Sequence, residues 1–404
     1  MLIQKVTMLG HKDHGKSTLL GMLLISTNAV SQERITEAKR ISKELHRQFE
    51  PGFILDTFSE ERANGLTIDT TRAELRFKGI GFEFIDVPGH EELIKNMLTG
   101  ASNANVAVLV VSAKQNESVT DQTKRHLFLA RMLGISRLVV AINKLDLVLY
   151  NKQAYENVKQ SLIGYLNKIG FRNEMVSFVP ISAYENENLV EKSASMPWYK
   201  GKPLMDLLHN AVTNSKDGKT RPLRILLQGH LDKKTISGRV ITGTLRVGDT
   251  LKVLPNRKTI TVKSIIVAGK QRHSAKAADS IAISGRGVSG VDGGVACTQS
   301  NMPKVAKDFD AEIFFVENTG KRVNIVLNGA KIGATLENVK TIDTSTGTYV
   351  ARRAKALDAI TARVQLDKYA AFERFDNIKD LGRFTLYSGT RFAGIGIIIN
   401  TQQA

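Results

Sequence analysis

The sequence predicts an α/β domain, with a mostly parallel sheet and helices on both faces, followed by two all-β barrel domains. In the first half, short apolar runs alternate with longer stretches of helical periodicity, as in a parallel sheet connected by helices. In the second half, short runs that alternate apolar and polar residues are separated by Gly, Asp and Asn, which indicates strands with one buried face. We therefore expect domains at 1–215, 220–301 and 306–404.

Five apolar runs in the first half are predicted to be buried strands: IQKVTMLG, GFEFIDV, NVAVLVVSA, RLVVAINK and VSFVPISA. One additional helix is expected in the polar insert SQERITEAKRISKELHRQF, because four apolar residues recur there at helical spacing: Ile35, Ala38, Ile41 and Leu45. The polar segment AVTNSKDGKTRP is predicted to be the linker into the β half. Strands of the two barrels are expected in GRVITGTLRVGDTLKVLP and KTITVKSIIVAG, and then in AEIFFVE, NIVLNGAKIGATL, AITARVQLD and LGRFTLYSGTRFAGIGIIIN.

The composition is that of a folded protein with several hydrophobic cores, since 42% of its 404 residues are hydrophobic and 24% are charged. No run of about 18 or more uncharged apolar residues occurs, and the start MLIQKVTMLG has the pattern of a strand. Neither a membrane span nor a secretion signal is expected. Cys297 is the only cysteine, which excludes an intrachain disulfide and a cysteine-rich metal cluster and favours a cytoplasmic location.

Positive charge is concentrated in the second half of the chain. The formal net charge is +18; residues 1–215 hold 26 Lys and Arg against 23 Asp and Glu, whereas residues 216–404 hold 31 against 16. Such an excess on one half is typical of a surface that binds a polyanion, here RNA or the ribosome. Charge spread evenly over the surface for solubility would give the same totals, so this alternative stays open.

The segment GHKDHGKS has the phosphate-binding pattern G-x-x-x-x-G-K-[ST] and lies between a predicted strand and a predicted helix. Backbone N–H groups of such a loop approach the phosphates of a nucleotide, and the following helix N-terminus favours an anion. Lys16 is expected to balance the charge of the β- and γ-phosphates, and Ser17 to offer its hydroxyl to Mg²⁺. The predicted phosphate-binding residues are Gly10, His11, Lys12, Asp13, His14, Gly15, Lys16, Ser17, Thr18 and Gly89.

The base of the nucleotide is predicted by the N-K-x-D arrangement NKLD, which follows the apolar strand LVVAI. The carboxylate of Asp146 can accept hydrogen bonds from the N1–H and the 2-amino group of guanine, which adenine lacks. Asn143 is expected to donate to the other edge of the base, and Lys144 to pack over it. Ser182 and Ala183, which follow another strand, complete the predicted guanine pocket. GTP is therefore the expected substrate and GDP the product.

The segment DVPGH follows the strand FEFI and supplies the pattern D-x-x-G. The carboxylate of Asp86 is expected to hold the shell of Mg²⁺ through water, and the amide of Gly89 to meet the γ-phosphate. Thr67, in GLTID, could complete the metal shell with its hydroxyl and contact the attacking water with its carbonyl, although an ordinary strand threonine would give the same pattern. The predicted metal-site residues are Ser17, Thr67 and Asp86.

Five groups of motifs resemble the translational GTPases, most closely the elongation factor Tu and elongation factor 1-alpha class: GHKDHGKSTL, EERANGLTID, DVPGHEELIKNMLTGAS, AINKLDL, and FVPISA with MPWYKG. The match is dense over the first half and continues through GRVITGTLRVGD and LGRFTL in the predicted barrels. The resemblance implies a P-loop GTPase domain whose hydrolysis is slow until an activator engages, with His90 as the catalytic residue that positions the hydrolytic water. It implies the ribosome and a tRNA or tRNA-shaped protein as partners, allows a nucleotide exchange factor, and implies neither DNA nor a membrane.

Several features depart from this class. Lys12 stands where the family usually has a valine that, with the residue at Leu66, is thought to restrain the catalytic histidine; Lys12 then adds charge near the γ-phosphate, pairs with a carboxylate, or is exposed without consequence. The second and third domains also read as shorter than those of elongation factors. Two alternatives therefore stay open, a regulatory GTPase subunit of ATP sulfurylase and a ribosome-rescue GTPase that carries a release-factor-like protein. His14 argues against both alternatives. At this position the ATP sulfurylase subunits usually have Asp, and the ribosome-rescue GTPases usually have Ala.

Overall fold

The computed structural model describes residues 3–44, 49–55, 71–86, 104–114, 119–213 and 221–400. The chain divides into two compact units, Met1–Asp217 with Thr344–Thr348, and Gly218–Asp343 with Tyr349–Ala404. No helix in the described ranges is long and apolar enough to cross a membrane.

The first unit is an α/β domain around a six-stranded sheet. Its strands are β1 (Ile3–Leu9), β2 (Thr71–Phe77), β3 (Ile80–Asp86), β4 (Val106–Ser112), β5 (Arg137–Asn143) and β6 (Val176–Pro180). Its helices are α1 (Lys16–Ser26), α2 (Gln32–Glu44), α3 (Asp121–Met132), α4 (Lys152–Lys168) and α5 (Leu204–Thr213). The order is β2-β3-β1-β4-β5-β6, and all neighbours are parallel except β2 and β3. β4 is buried along its whole length, as expected of a central parallel strand.

All five strands predicted for this domain are present, and the helix predicted in the polar insert is α2, which buries Ile35 and Ala38. The edge strand β2 was not predicted. In β2 the side chain of Leu75 is buried, while Arg72 and Glu74 are exposed. The prediction of a mostly parallel sheet with helices is therefore confirmed, with one antiparallel strand added at its edge.

The carboxyl ends of the parallel strands bring the predicted site residues to one edge of the sheet. β1 lies between β3 and β4, so the chain leaves its carboxyl end at a topological switch point, where open α/β sheets bind ligands. The parallel register of β1 and β3 places Met8 beside Asp86. The register of β4 and β5 places Ser112 beside Asn143. The phosphate loop, the predicted metal carboxylate and the predicted base-binding segment therefore all begin at this edge.

The second unit begins with a closed antiparallel barrel. Its strands are β7 (Arg224–Asp232), β8 (Thr235–Thr242), β9 (Thr244–Arg246), β10 (Thr250–Leu254), β11 (Lys258–Val267), β12 (Lys270–Arg272), β13 (Ser274–Lys276), β14 (Ser280–Arg286) and β15 (Gly294–Thr298). The order is β10-β15-β7-β8-β14-β11-β12, and the pairing of β10 with β11 closes the barrel; β9 and β13 form a separate ribbon. Every second residue of β8 is buried, which is the pattern that the alternating sequence predicted.

A second antiparallel barrel follows in the same unit. Its strands are β16 (Lys304–Phe315), β17 (Arg322–Leu327), β18 (Ala330–Asp343), β19 (Thr348–Val350), β20 (Ala359–Phe372), β21 (Arg383–Ser388) and β22 (Arg391–Asn400). The order is β17-β21-β22-β16-β20-β18-β19, and β17 also pairs with β18 to close the barrel. The prediction of two β-barrels after the α/β domain in the sequence is confirmed, while the domain boundaries at 215, 220, 301 and 306 stay predictions.

An apolar seam joins the two barrels of this unit. Its buried side chains come from both barrels: Leu254, Val295, Cys297, Ala371, Ile378 and Leu381. Burial raises the pKa of the Cys297 thiol, and this favours the uncharged form, which is a poor nucleophile. We therefore interpret the single cysteine as a packing residue.

A buried ion pair lies beside the seam. The guanidinium of Arg224, in β7, donates from Nη2 to Glu373 Oε1 over 2.7 Å and from Nε to the same oxygen over 3.0 Å. Arg224 also donates to the carbonyl and side-chain oxygens of Asn301, over 2.8 and 2.9 Å. Its side chain is 2% exposed. Because the guanidinium is desolvated, these acceptors fix how the two barrels pack against each other.

Candidate nucleotide-binding site

The phosphate loop begins at the end of β1 with a sharp change of backbone direction. Gly10 has φ 135°, and a Cβ atom there would lie 2.3 Å from the carbonyl oxygen of Val110. No other residue fits this contact. The close approach to β4 lets the chain turn above the sheet edge, and after a short 3-10 turn at Lys12–His14 helix α1 begins at Lys16.

The second glycine of the loop faces the predicted base pocket. Gly15 has φ 86°, and a Cβ atom there would lie 2.6 Å from the amide nitrogen of Asn143. This amide donates from Nδ2 to the carbonyl oxygen of His14 over 2.9 Å, while its Oδ1 accepts from the N–H of Ala183 over 2.9 Å. Asn143 is 2% exposed. It therefore ties the phosphate loop to the segment after β6, a role that the sequence analysis missed; its predicted contact with the base stays a prediction.

The ammonium group of Lys16 contacts the backbone of the phosphate loop. The ammonium of Lys16 donates to the carbonyl oxygens of Gly10 and His11, over 3.0 and 3.2 Å. The ring of His14 is buried, with Nδ1 3.2 Å from the carbonyl oxygen of Val110. These contacts hold the ammonium of Lys16 against the backbone of the loop and the ring of His14 against β4. The predicted contact of Lys16 with the phosphates stays a prediction.

The predicted guanine-binding residues are brought together by β5 and β6. The hydroxyl of Ser182 donates to Asp146 Oδ1 over 2.6 Å, and the N–H of Glu185 donates to the same hydroxyl over 3.2 Å. Lys144 adopts φ 64°, so the chain turns sharply just after β5 and presents Asp146 at the start of a 3-10 turn. A carboxylate whose position is fixed by a buried serine can accept a defined pair of hydrogen bonds, as recognition of guanine requires.

The oxygen donors that the structure describes fit Mg²⁺. Ser17 is exposed in the first turn of α1, and Asp86 is half-buried at the end of β3, next to the phosphate loop in the register of the sheet. Mg²⁺ prefers such hydroxyl and carboxylate oxygens, and it usually keeps several waters and the substrate phosphates as its other ligands. No cluster of three or more His, Cys, Asp or Glu that could hold a metal ion occurs among the described residues.

Three of the predicted site residues, Thr67, Gly89 and His90, lie outside the described residues. Of Lys12 the structure describes the backbone, which forms part of the 3-10 turn of the phosphate loop. The predicted roles of these residues in holding Mg²⁺, binding the γ-phosphate and positioning water therefore stay predictions. Asp13 lies in the loop and Thr18 in the first turn of α1, and their predicted contacts with the phosphates stay predictions.

The turn after Asp146 supports the base pocket and was not recognised in the sequence. Leu149 and Tyr150 both have left-handed backbone conformations, with φ 52° and 54°. The indole N–H of Trp198 donates to the carbonyl oxygen of Tyr150 over 3.0 Å and holds this conformation. Burial raises the pKa of the Tyr150 phenol, and nearby carboxylates, including that of Glu187, raise it further. Trp198 therefore fixes this turn, a role that its place in the motif MPWYKG does not reveal.

We expect Leu149→Asn to stabilise the first unit by about 1 kcal/mol, because Leu149 is 89% exposed and a left-handed conformation costs an L-residue roughly 1–2 kcal/mol, less for Asn. Thermal unfolding followed by the fluorescence of Trp198, the only tryptophan, measures the effect. Leu147→Asn is the matched control, since Leu147 is 58% exposed in the preceding 3-10 turn and has no positive φ. Equal effects of the two substitutions would show that the gain does not come from the backbone.

Two family profiles match the chain. The profile of the Elongation factor Tu GTP binding domain matches residues 1–214, and that of the GTP-eEF1A C-terminal domain-like family matches residues 308–399. The first match spans the whole α/β domain, with the phosphate loop and the predicted guanine pocket. The second spans most of the second barrel.

Full-length relatives are also similar to the chain. Elongation factor 1-alpha of Aeropyrum pernix is 36% identical over 423 residues, which cover 99% of this chain and 97% of the relative. Elongation factor 1-alpha of Hyperthermus butylicus is 35% identical over 426 residues, with 99% and 96% covered. A solved structure of sup35 complexed with GDP superposes with a TM-score of 0.44 at 23% identity, covering 99% of this chain and 94% of that chain. The sequence similarity to the two relatives extends through both barrels.

Proposed function

Because the chain belongs to the elongation factor Tu and elongation factor 1-alpha family of translational GTPases, we propose that it acts on the ribosome as a GTP-driven switch that carries a tRNA or a tRNA-shaped protein. The chain binds guanine nucleotides and is a GTPase. The observation that best supports the ribosomal role is the similarity to elongation factor 1-alpha over 99% of this chain, barrels included. A translation factor of this kind would work in the cytoplasm.

The charge of the barrel half supports an RNA-containing partner. Residues 216–404 hold 31 Lys and Arg against 16 Asp and Glu, whereas the GTPase half is close to neutral. Contacts between such cations and phosphates release counterions, so binding weakens steeply as salt rises. We expect binding to the ribosome or to tRNA to show this salt dependence, with the barrels as the RNA-contacting part.

The residues of the phosphate loop would promote hydrolysis by stabilising negative charge on the phosphates of GTP. Lys16 and the N–H groups at the start of α1 would stabilise charge on the β- and γ-phosphates, and Ser17 and Asp86 would hold Mg²⁺. When bound, Mg²⁺ would supply positive charge that offsets the negative charge developing on the phosphates during hydrolysis. His90 would position the attacking water once the ribosome engages, with Thr67 contacting the same water. Hydrolysis without the ribosome should be slow, because these residues must be ordered around the γ-phosphate first.

Single-turnover hydrolysis of GTP tests this proposal when it is measured with and without ribosomes from the same source, at two salt concentrations. We expect ribosomes to accelerate the wild-type protein, and higher salt to reduce the acceleration. His90→Ala should lose the stimulated rate by about 10²-fold or more while it still binds GTP, because a positioned catalytic group typically contributes 10²–10⁴-fold.

His209→Ala is the matched control, since His209 lies on the surface side of α5 and packs edge-on against Phe77. It should keep the stimulated rate. An equal stimulated rate in His90→Ala and wild type would contradict the role of His90. Absence of stimulation in GTP-loaded wild-type protein would contradict the ribosomal role and favour a regulatory GTPase of the ATP sulfurylase type, with an adenylyltransferase partner. Addition of a candidate exchange factor in the same assay would show whether release of GDP is limiting.

A further inference from the structure

A cleft of about 940 Å³ opens in the second unit, where the two barrels face each other beside the apolar seam. Apolar residues of both barrels are part of its lining, and we call them the floor: Leu226, Leu254, Val295, Val305 and Ala371. The volume lies in the range of sites that enclose small molecules, roughly 300–1,000 Å³.

The rim of the cleft is positively charged. Arg257, in the turn between β10 and β11, and Lys368, near the end of β20, are both exposed and line the cleft from different barrels. Asp367, the neighbour of Lys368, is bound by Arg322 through two hydrogen bonds of 2.9 and 2.5 Å, so it does not neutralise Lys368. Among the described residues that line the cleft, Asp292 is the one with a carboxylate. The rim therefore favours an anion.

An exposed aromatic residue, Tyr369, also lines the cleft. The side chain of Tyr369 is 59% exposed and lines the cleft next to Lys368. One side of this ring already holds the ammonium of Lys307, 5.2 Å from the ring centre. A ring with a cation on one face and a cleft beside it can stack a planar base, which is worth about 1–3 kcal/mol in known nucleic-acid sites.

We propose that this cleft binds a ribonucleotide, with its base stacked on Tyr369 over the apolar floor and its phosphate between Arg257 and Lys368. Arg binds phosphate oxygens through a planar pair of N–H donors, and Lys acts as a point charge. The buried Arg224–Glu373 pair and the apolar seam hold the two walls of the cleft in register, so the site needs little reorganisation before it binds. This site is separate from the guanine pocket in sequence and in lining residues, and the inference does not depend on the ribosomal role.

Two kinds of ligand have the base and phosphate that this cleft would bind: a free nucleotide and an unpaired nucleotide of an RNA strand. Binding is therefore measured by calorimetry on the full chain saturated with GDP, without ribosomes, using adenosine 5′-monophosphate and a single-stranded oligoadenylate as probes. Adenine is chosen because the carboxylate of Asp146 selects guanine. Titration of both probes into the same protein identifies the source: measurable binding of the monophosphate indicates a free nucleotide, and binding of the strand alone indicates RNA.

Two variants test the location. Lys368→Glu reverses a charge of the rim, and Ala330→Trp fills the cleft from an exposed lining position at the start of β18. We expect each to weaken binding of the effective probe at least tenfold. Lys276→Glu, an exposed lysine of β13 that does not line the cleft, is the control of equal charge and should change the affinity less than threefold.

The proposal is overturned if the intact protein binds neither probe, or if both cleft variants bind like wild type. It is also overturned if Lys276→Glu weakens binding as much as Lys368→Glu, because binding would then follow the total charge. Thermal unfolding of all three variants provides an independent readout of folding, and it should match that of wild type.

Discussion

Asp146→Asn is expected to change the preferred base of this GTPase from guanine to xanthine. Guanine presents two donors, N1–H and the 2-amino group, to the carboxylate, whereas an asparagine offers one acceptor and sets its own N–H against the amino group. When a site built to form such hydrogen bonds loses them, its preference for the ligand falls by roughly 10⁴-fold. Xanthine has a carbonyl at the same position, so the asparagine amide can donate to it. Equilibrium titration with GDP and xanthosine diphosphate measures both effects.

The fold should tolerate this substitution, because the hydroxyl of Ser182 can still donate to the side-chain oxygen of residue 146. Asp206→Asn is the control, since it removes one charge from an exposed ion pair with Lys78 and should leave the base preference unchanged. Retention of tight GDP binding by Asp146→Asn, with no gain for the xanthine nucleotide, would show that Asp146 does not read the base.

Much of the nucleotide site could be predicted because its motifs directly follow strands. Parallel strands end at a common edge of their sheet, so the glycine loop after β1, Asp86 at the end of β3 and Asp146 after β5 had to converge. The chemistry of each motif then followed from its donors and acceptors. Contacts between separate loops could not be predicted in this way. Asn143 reads as a base-binding residue in the sequence, and only the folded chain shows that its amide joins the carbonyl of His14 to the N–H of Ala183.

The edge strand β2 shows a different limit. Its sequence TRAELRF alternates polar and apolar residues, which is a signal for a strand, but three of its seven residues are charged and it is much less apolar than its buried neighbours. An edge strand buries one face only, so its apolar content is low and its pattern is easily read as a loop. The central strand β4, buried throughout, gave the opposite and unmistakable pattern.

The packing of the barrels was equally beyond sequence analysis. Arg224 and Glu373 are 149 residues apart, and nothing in either local sequence marks one as the partner of the other. Arg224 begins β7 and Glu373 directly follows β20, and charged side chains are usually exposed, yet the side chain of Arg224 is 2% exposed. The alternating pattern therefore predicts that each barrel has a core, but it does not predict which polar side chains are buried where the barrels meet.

Glu373→Ala is expected to destabilise the second unit by about 3–5 kcal/mol, the range measured when one partner of a buried ion pair is removed. The guanidinium of Arg224 would keep its two contacts with Asn301 but would lose the carboxylate that balances its charge. Hydrogen exchange of the intact chain can localise the loss, since amides of β7 and β20 should exchange faster by the corresponding factor. Strands of the first unit, such as β4, serve as the internal reference.

An exposed ion pair in the same unit provides a control, because it has the same charges as the buried pair without the burial. Asp367→Ala breaks the pair with Arg322, whose side chains are 51% and 62% exposed, and should cost less than about 1 kcal/mol. Replacement of both buried partners, Arg224→Met with Glu373→Met, should recover most of the stability lost in Glu373→Ala, because apolar side chains can fill the same space without a desolvation cost. If Glu373→Ala and Asp367→Ala destabilised the unit equally, the buried pair would not hold the barrels together, and the rigid walls of the nucleotide cleft would need another origin.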